Sequence, residues 1–520
     1  MILPDGGSSM THSGAFVERE MKFRLPQGAD AASLRDAVES AGFRLEPAGT
    51  VEHADRYLDT DDWVLYRAGL ALRLRSEEGG VRLEAKTLGS EREGTLTRQE
   101  WTQEAPGGDP PWSTLPAGPV QALLQPLSGM GVIERFAIRA SVRNERECFR
   151  WLSGDALVGS LTVDHVFIPP AEYREVELEL ANGKTGALGE VSRAVKERLG
   201  IHPAVQTKLV AALQARGERL PEPEEMRHAL SPADRLLDVA HKTFARHLSR
   251  MLWNEPGTRL GVDPEYLHDM RVAVRRLRTS IEVLAEGFPG AVREEFETDL
   301  RWVGGRLGRV RDLDVMADRV RSMSVEAAPF ERPALRVFSQ SLALRRTRRR
   351  MRLVERLDSA RYREFVAKAR GWIEAGPPAG VLVPEGVMAA YTAAPRITGR
   401  WTEAMNTAFE KAYRTMEIGD LHALRIAAKK ARYSYEYFAD LEGPAALRRA
   451  KRIAALQDFL GKHLDTAILA RRLRRYARSI PREDLELTLG AWSALGQLER
   501  EMQIRKGSLR EHWEKATASD

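Results

Sequence analysis

Residues 14–23 read GAFVEREMKF and place Glu18, Glu20 and Lys22 at every second position. Alternate side chains of a β-strand point to the same face, so these three charges share one face of a strand whose other face is mainly apolar. By itself, this pattern also describes a strand whose charged face lies in solvent. The distinction depends on whether other strands of the same sheet repeat the pattern.

Charged faces of a single sign recur on later segments. YREVELEL (173–180) aligns Glu175, Glu177 and Glu179, which repel one another unless cations lie between them. Solvated faces usually mix the two signs, so the recurrence favours a closed sheet whose charged faces point inward. The basic residues of these faces are Arg73 and Arg75 in LALRLR (70–75), Lys86 in RLEAKT (82–87), Arg139 and Arg143 in FAIRASVR (136–143), and also Arg56 and Arg98.

The chain of 520 residues divides into two parts with different apolar periods. From residue 16 to about residue 180 the period is mostly two, with a few helical segments, which predicts an antiparallel α+β domain closed into a barrel. Beyond residue 230 the spacing is three and four, which predicts an all-α helical bundle. The predicted domains are residues 15–215 and 231–515, with a Pro- and Glu-rich linker at 216–230 and a Pro-rich interruption of the bundle at 375–386.

The net charge of +6 is unevenly distributed along the chain. Residues 1–228 hold 27 Lys and Arg against 35 Asp and Glu, whereas residues 229–520 hold 53 against 39. A polyanionic partner is therefore expected on the second part of the chain.

Cysteine content and apolar patterning bear on the compartment. Cys148 is the only cysteine, which excludes an intrachain disulfide and fits a reducing cytoplasm. The first residues lack the pattern of a secretory signal, and no apolar run is long enough to span a bilayer, so we expect a cytoplasmic protein without a membrane partner. The sequence also lacks zinc-ligand spacing, a Walker loop and a dinucleotide fingerprint.

The helical part contains an internal repeat. LHDMRVAVRRLRTSIEVL (267–284) aligns with LHALRIAAKKARYSYEYF (421–438), and LGRVRD (307–312) aligns with LGKHLD (460–465). The spacing predicts a duplication of about 150 residues, in which each copy carries one basic helix.

Each of these two basic helices presents its charges as one stripe. Like-charged neighbours at i,i+4 destabilise an isolated helix by about 0.2–0.5 kcal/mol each, so a stripe that occurs twice favours an external anion over a merely solvated face. A histidine at such a position is by default a core residue, but at the head of a basic stripe it is also a candidate phosphate contact. The stripes are His268, Arg271, Arg275 and Arg278 in the first copy, and His422, Arg425, Lys429 and Arg432 in the second.

Nucleic acid is the rival polyanion, because any basic groove attracts a phosphate backbone. Proteins that bind single strands usually interleave aromatic side chains that stack on bases. The first stripe has no aromatic residue, and those of the second stripe follow core-like spacing. We therefore do not expect nucleic acid as the partner.

A closed sheet with the charged faces inside would combine an acidic patch with a basic lining. Carboxylate oxygens suit Mg²⁺ or Mn²⁺, which prefer oxygen ligands. Arginine and lysine suit phosphate oxygens, which arginine binds bidentately. Together these groups predict a metal-assisted phosphoryl-transfer site for a compact polyphosphate.

The ordered series of motifs resembles the CYTH domain of the triphosphate tunnel metalloenzymes. It consists of Glu-x-Glu-x-Lys near the N-terminus, DRYLDT (55–60), LALRLR, RLEAKT, the Glu-rich YREVELEL and TKL (207–209), where Thr207 replaces the usual serine. The resemblance covers roughly residues 15–215. It implies an eight-stranded antiparallel tunnel that binds triphosphate and a divalent metal, Mg²⁺ or Mn²⁺, in its interior.

The resemblance also implies roles for individual residues. The match does not assign the residue that orients the attacking water, for which we expect a glutamate next to the metal. The implied catalytic group is Glu18, Glu20, Lys22 and Glu177; the metal ligands are Glu18, Glu20, Glu175, Glu177 and Glu179; and the phosphate-binding residues are Lys22, Arg56, Arg73, Arg75, Lys86, Arg98, Arg139, Arg143 and Lys208.

The duplicated helical part resembles the CHAD domain, a helical module with histidines and basic residues that is associated with inorganic polyphosphate. The resemblance covers about residues 229–515 and rests on LHxxRVxxRRLR and its second copy. It implies polyphosphate binding by both stripes, with Arg309 and Lys462 joining the basic surface. RRTRRRMR (345–352) either extends that surface or is simply solvated.

The sequence thus predicts a cytoplasmic hydrolase that cleaves inorganic triphosphate to pyrophosphate and phosphate and that binds polyphosphate through its helical domain. Two alternatives stay open. In one, both domains only bind polyphosphate, and the protein associates with polyphosphate granules. In the other, the tunnel acts on thiamine triphosphate or a nucleoside triphosphate, including adenylate cyclase chemistry.

Overall fold

The computed structural model separates the chain into two compact units, with the boundary between residues 222 and 223. Part of the predicted linker and most of the Pro-rich stretch at 375–386 lie outside the residues that the structure describes. The described residues are 16–25, 31–92, 94–181, 185–204, 206–222, 230–377 and 388–518.

The first unit is a closed antiparallel barrel of eight strands. Its strands follow the order β1-β9-β8-β7-β2-β3-β4-β6, and pairing of β1 with β6 closes the barrel, while the short β5 adds to the β6 edge. The prediction of an antiparallel barrel followed by a helical bundle is confirmed. The strands are β1 (Phe16–Arg24), β2 (Arg44–Asp59), β3 (Leu70–Glu77), β4 (Gly80–Thr87), β5 (Ser90–Arg92), β6 (Thr95–Glu104), β7 (Ala137–Ser153), β8 (Ala156–Ile168) and β9 (Ala171–Leu180).

Among the described residues, five short α-helices accompany the barrel. They are α1 (Ala31–Ser40), α2 (Val64–Arg67), α3 (Pro119–Leu124), α4 (Thr185–Leu199) and α5 (Lys208–Ala215).

A hydrophobic core covers the outer face of β1, β7, β8 and β9. On β1 the outward Met21 and Phe23 are fully buried, and they share one cluster with Trp151 of β7 and with Val38 and Val191 of α1 and α4. The charged residues of β1 occupy alternate positions and therefore point into the barrel. Helix packing on the outside is what makes the inside of the barrel the polar side.

Helix α5 fills one end of the barrel. Its residues Leu209 and Leu213 pack against apolar side chains that face inward from the strands, among them Tyr57 and Val142. The Thr207 hydroxyl accepts the backbone N–H of Val210 and caps the helix N-terminus. This arrangement places the first residue of the helix, Lys208, inside the barrel.

The second unit is entirely helical among the residues described. The helices are α6 (Leu236–Leu260), α7 (Pro264–Val283), α8 (Gly290–Glu326), α9 (Arg332–Leu357), α10 (Ala360–Glu374), α11 (Ala390–Thr415), α12 (Ile418–Tyr437), α13 (Ala439–Glu442), α14 (Pro444–Ala477), α15 (Leu485–Gly507) and α16 (Leu509–Thr517). None of the helices within the described ranges is both long and apolar enough to cross a membrane.

The helices of this unit pack in two similar series. In the first, α6 packs on α7, α7 on α8 and α8 on α9; in the second, α11 packs on α12, α12 on α14 and α14 on α15. The basic helices α7 and α12 are equivalent members of the two series, and they contact each other. Their apolar faces enter two large clusters, one built around Phe244 and one around Leu424. The repeat therefore brings the two basic stripes close together.

Candidate functional site

Inward-facing charged side chains line a cavity of about 660 Å³ inside the barrel, part of which is continuous with solvent. The cavity brings together residues from seven strands and from α5. Of the residues predicted from the sequence, it is lined by Glu18, Glu20, Lys22, Arg73, Arg75, Lys86, Arg98, Glu177 and Lys208.

Three buried carboxylates converge near one side of the cavity. Asp164, Glu175 and Glu177 each offer an oxygen, and these oxygens lie within 4.8 Å of one another. The Lys208 ammonium lies among them, 2.8, 2.5 and 2.8 Å from Asp164, Glu175 and Glu177 respectively. Arg146 also contacts Asp164 at 2.6 Å and Glu177 at 2.7 Å.

The cations determine the ionisation of this carboxylate cluster. Burial alone would raise the pKa of Glu177, but Lys208, Lys22 and Arg146 outweigh it and hold the pKa well below its usual range. The pKa of Asp164 is lowered in the same way, because Arg146 and Lys208 outweigh its burial. Both groups are therefore anions at neutral pH.

The N-terminal strand connects this cluster to the basic lining. Lys22 lies 2.5 Å from Glu177 and 3.4 Å from Glu20, and Arg98 lies 3.0 Å from Glu20. Lys86 lies 3.1 Å from Glu18. Although it is buried, Arg98 has two nitrogens, Nε and Nη2, without a hydrogen-bond partner among the described residues, so they are available to an anion in the cavity.

Two buried carboxylates hold the arginines of β3 in place. Asp55 contacts Arg73 at 3.0 Å and Arg75 at 2.8 Å, and Glu84 contacts Arg73 at 2.7 Å. Burial would raise the pKa of both acids, but the arginines outweigh it, lowering the pKa of Asp55 and bringing that of Glu84 to about 2. These carboxylates act as rigid counter-ions that orient the guanidinium groups.

Glu179 has a different environment from the other acidic residues. It is paired with Glu20 across β1 and β9 and shares the inward face of β9 with Glu175 and Glu177, although it is more exposed than either. Limited hydration, together with the charges of Glu18 and Glu20, raises its pKa to about 8. Without a bound cation, Glu179 is therefore largely protonated at pH 7.

Three predicted phosphate-binding arginines are not brought to the cavity. Arg56 contacts Asp109 at 2.5 Å, Arg139 pairs with Asp61, and Arg143 is 60% exposed. Beside these arginines, Tyr57 of β2 and Ala140 and Val142 of β7 face inward and pack on α5, so the alternate arginines point outward.

Sequence reasoning also missed several inward residues: Asp55, Glu84, Arg146 and Asp164. Asp55 directly precedes Arg56 in the sequence. The prediction placed Arg56 on the inward face of β2, whereas the structure places Asp55 there, one residue earlier. Arg146 and Asp164 face each other across β7 and β8, and strand pairing across such a sequence distance is not readable from either segment alone.

The helical unit contains a basic cavity of its own between α7 and α12, of about 960 Å³ including the part that is open to solvent. The two stripes meet there: the predicted residues that line it are Arg271, Arg275, Arg278, His422, Arg425 and Lys429.

The cations of this cavity are poorly compensated. Burial, together with the charges of Arg275 and Arg278, lowers the pKa of Lys429 to about 8, although Glu282 acts in the opposite direction. The Nε atoms of Arg278 and Arg425 are buried without a hydrogen-bond partner among the described residues. A cluster of cations with unused donors is typical of an anion-binding site.

Other residues of the predicted basic surface lie away from this cavity. His268 is half-buried near Arg311, and Arg432 forms an ion pair of 2.6 Å with Glu436. Arg309 and Lys462 are exposed and do not line the cavity.

In both copies of the LGxxxD motif, the glycine rather than the basic residue faces the stripe. A Cβ added to Gly308 would lie 3.6 Å from Arg271 Nε, and one added to Gly461 would lie 3.5 Å from Arg425 Nε. Each guanidinium group therefore lies beside a glycine of the neighbouring helix, with room for no more than a Cβ at van der Waals distance. The matched glycines were the available sequence signal for this contact.

These two sites define the class of protein. A family model of the CYTH domain matches residues 17–208, which form the barrel, and a model of the CHAD domain matches residues 242–474 of the helical unit. The chain therefore contains a CYTH domain followed by a CHAD domain. Among curated protein sequences, none matches the chain significantly.

Several solved structures are similar to parts of the chain. The CHAD domain from the plant Ricinus communis is 24% identical with a TM-score of 0.48, and the match covers 58% of this chain and 98% of that one. PptA from Streptomyces chartreusis is 16% identical with a TM-score of 0.46, and the match covers 54% and 100%. HpAC1 from Hippeastrum, a putative adenylyl cyclase described as having a dominant triphosphatase activity, is 21% identical with a TM-score of 0.28, and the match covers 39% and 98%.

Proposed function

We propose that the barrel hydrolyses inorganic triphosphate to pyrophosphate and phosphate with a divalent metal, and that the helical unit binds inorganic polyphosphate. The observation that carries the proposal is the enclosure of both signs of charge in one cavity, where a basic lining meets a cluster of buried carboxylates. Members of the CYTH family are triphosphatases or cyclases, which agrees with this assignment.

The carboxylate cluster suits a hard divalent cation. Asp164, Glu175 and Glu177 supply oxygen ligands at compatible separations, and Glu18, Glu20 and Glu179 extend the set along β1 and β9. When bound there, Mg²⁺ or Mn²⁺ would neutralise charge on the phosphate oxygens. Lys208 holds these carboxylates together and would have to loosen its contacts to admit a metal.

The basic lining provides the substrate contacts. Arg98 presents two unused donors, and Arg73 and Arg75 are kept in fixed orientations by Asp55 and Glu84. Because these guanidinium groups are already ordered, binding a phosphate chain costs little side-chain entropy. Lys22, which lies between Glu20 and Glu177, is the cation best placed to contact a phosphate oxygen beside the carboxylates.

The character of the cavity favours a compact inorganic chain. Most of its lining is charged, and its apolar residues are few, mainly Tyr57, Leu88 and Leu209. A thiamine or nucleobase group would require a stacking surface, and Tyr57 is the only aromatic side chain among the described residues that line the cavity.

The first experiment offers triphosphate, thiamine triphosphate, ATP and long-chain polyphosphate to the purified protein with Mg²⁺ or Mn²⁺. We expect fastest phosphate release from triphosphate. Release from none of the four would contradict the enzymatic proposal and favour a purely binding protein. Faster turnover of ATP or thiamine triphosphate would change the assigned substrate.

Two sets of variants separate the two activities. Replacing both Glu18 and Glu20 with glutamine should abolish turnover and leave polyphosphate binding unchanged. Replacing Arg271 and Arg425 with glutamate should weaken polyphosphate binding and leave triphosphate turnover unchanged. Glu172→Gln on the exposed side of β9 is the control for the first set.

A further inference from the structure

Helix α15 carries an exposed apolar stripe whose residues line neither of the two cavities. Leu485, Leu489 and Trp492 are 68%, 65% and 43% exposed. They stand at i, i+4 and i+7, so they lie on one face of the helix, and Gly496 continues that face one turn further. Three large apolar side chains aligned on one helix face are typical of a protein–protein contact.

The rest of α15 is firmly held within the unit. Ala494, Leu495 and Leu498 are buried against α14 and α9, and Ser493 donates a hydrogen bond of 2.7 Å to Glu331. The stripe is therefore presented by a fixed helix in the folded unit. Its exposure does not come from a loosely attached element.

Charges beside the stripe indicate which partner would fit. Glu486 near the start of α15 and Arg500 near its end are both exposed, and neither has an ion-pair partner among the described residues. They lie on the same side of the stripe, fourteen positions apart. Consider two antiparallel copies of α15 related by a two-fold axis. The side of the helix that carries Glu486 and Arg500 then lies next to the same side of the second copy. Each Glu486 therefore approaches the Arg500 of the other copy.

Gly496 supports the same antiparallel arrangement of two α15 helices. With the axis midway between Trp492 and Gly496, the Trp492 indole of one copy lies over the Gly496 of the other. A Cβ added to Gly496 would meet only the end of the Arg500 side chain, so this position is open on the helix surface. A glycine opposite a tryptophan lets two helices approach closely at the centre of a contact.

We propose that the protein forms a dimer through antiparallel packing of α15 against α15 of a second copy. The interface buries Leu485, Leu489 and Trp492 around a two-fold axis, and Glu486 and Arg500 pair across it on both sides. This assembly is independent of the activity proposed for the barrel.

The experiment is analytical ultracentrifugation of the full chain over a concentration series up to about 100 µM. The wild type should sediment with twice the mass of the chain. Trp492→Ala should raise the dissociation constant by about 30-fold or more, as loss of a central aromatic does. Leu447→Ala, which truncates an exposed leucine on α14 outside the stripe, should have no effect.

A charge exchange identifies the partner as a second copy. Glu486→Arg and Arg500→Glu should each weaken the dimer, because each places like charges across the axis. The double variant should restore it, and an equimolar mixture of the two single variants should form a heterodimer. A monomeric wild type, a dimer insensitive to Trp492→Ala, or a double variant no better than the single variants would overturn the proposal.

Gly496→Leu gives a test that does not weaken the fold. Leucine has the higher helix propensity, so the variant should keep the stability of the unit while its side chain prevents the close approach of Trp492. A Gly496→Leu protein that dimerises as tightly as the wild type would also contradict this packing.

Discussion

Lys208→Met removes the cation that three buried carboxylates share. Lys208 is 6% exposed and lies within 2.8 Å of Asp164, Glu175 and Glu177. Removing one partner of a buried ion pair typically costs about 3–5 kcal/mol, and Arg146 still contacts two of the three carboxylates, so we expect about 3 kcal/mol at pH 7 without metal. The side chain of methionine fills similar space, so packing loss adds little.

The sign of the pH dependence follows from the lowered pKa values of Asp164 and Glu177. Ionised carboxylates with lowered pKa values stabilise the fold above their unfolded-state pKa values, near pH 4, and this stabilisation is lost as pH falls through the folded-state values. The penalty of Lys208→Met should therefore be largest near neutral pH and shrink below pH 4. Mg²⁺ should rescue the variant more than the wild type, because the cation replaces the missing positive charge.

The measurement is hydrogen exchange of β8 and β9 peptides, with and without Mg²⁺, at several pH values. This local readout is needed because the two units need not unfold together. Lys196→Met, which removes an exposed lysine of α4, is the matched control. A penalty that is independent of pH, or Mg²⁺ stabilisation equal in variant and wild type, would refute the assignment of these carboxylates as a shared cation site.

Three further predictions test other parts of the two sites. Arg73→Gln should reduce triphosphate turnover by about 100-fold, because it removes a positioned charge-assisted contact. Arg143→Gln on the outer face should change turnover less than twofold. Equal losses in the two variants would contradict the assignment of Arg73 to the barrel interior. Because the pKa of Glu179 is about 8 without metal, Mg²⁺ affinity should increase from pH 6.5 to 8.5, and binding should release a proton. Calorimetry in buffers of different ionisation enthalpy measures this proton release, which Glu179→Gln should abolish. Gly461→Val should displace the guanidinium packed on it and weaken polyphosphate binding about tenfold in a fluorescence titration, whereas Gly399→Val, where a side chain would meet open space, should not.

The inward or outward placement of charged side chains was most readable from the sequence where the strand faces are uniform. On β1 and β9 the charged and apolar residues alternate along most of each strand, and both strands pack on helices with their mainly apolar side, so Glu18, Glu20 and Glu177 could be placed inside. On β7 the same reasoning failed for Arg143. The apolar side of this strand is inward at the end filled by α5, and nothing in the strand itself signals that helix.

In the helical site, too, the local pattern could be read from the sequence, whereas the effect of distant neighbours could not. Repetition of the basic stripes and of the LGxxxD motif was visible in the sequence, because a duplication preserves spacing. Which charges remain available depended on neighbours: Arg432 is neutralised by Glu436, whereas Arg278 and Arg425 keep buried nitrogens without partners.

By itself, the sequence determined the two fold classes, the alternation of charge and apolarity along each strand, and the two basic helical stripes. These are local properties, set by side-chain periods of two and of three to four residues. Only the tertiary structure decided which strand face is enclosed, that Asp164 and Arg146 join the carboxylate cluster, and that the two stripes meet at one cavity. Those outcomes depend on closure of the barrel by pairing of β1 with β6 and on packing between distant helices, and a period within one segment carries no information about its distant partner.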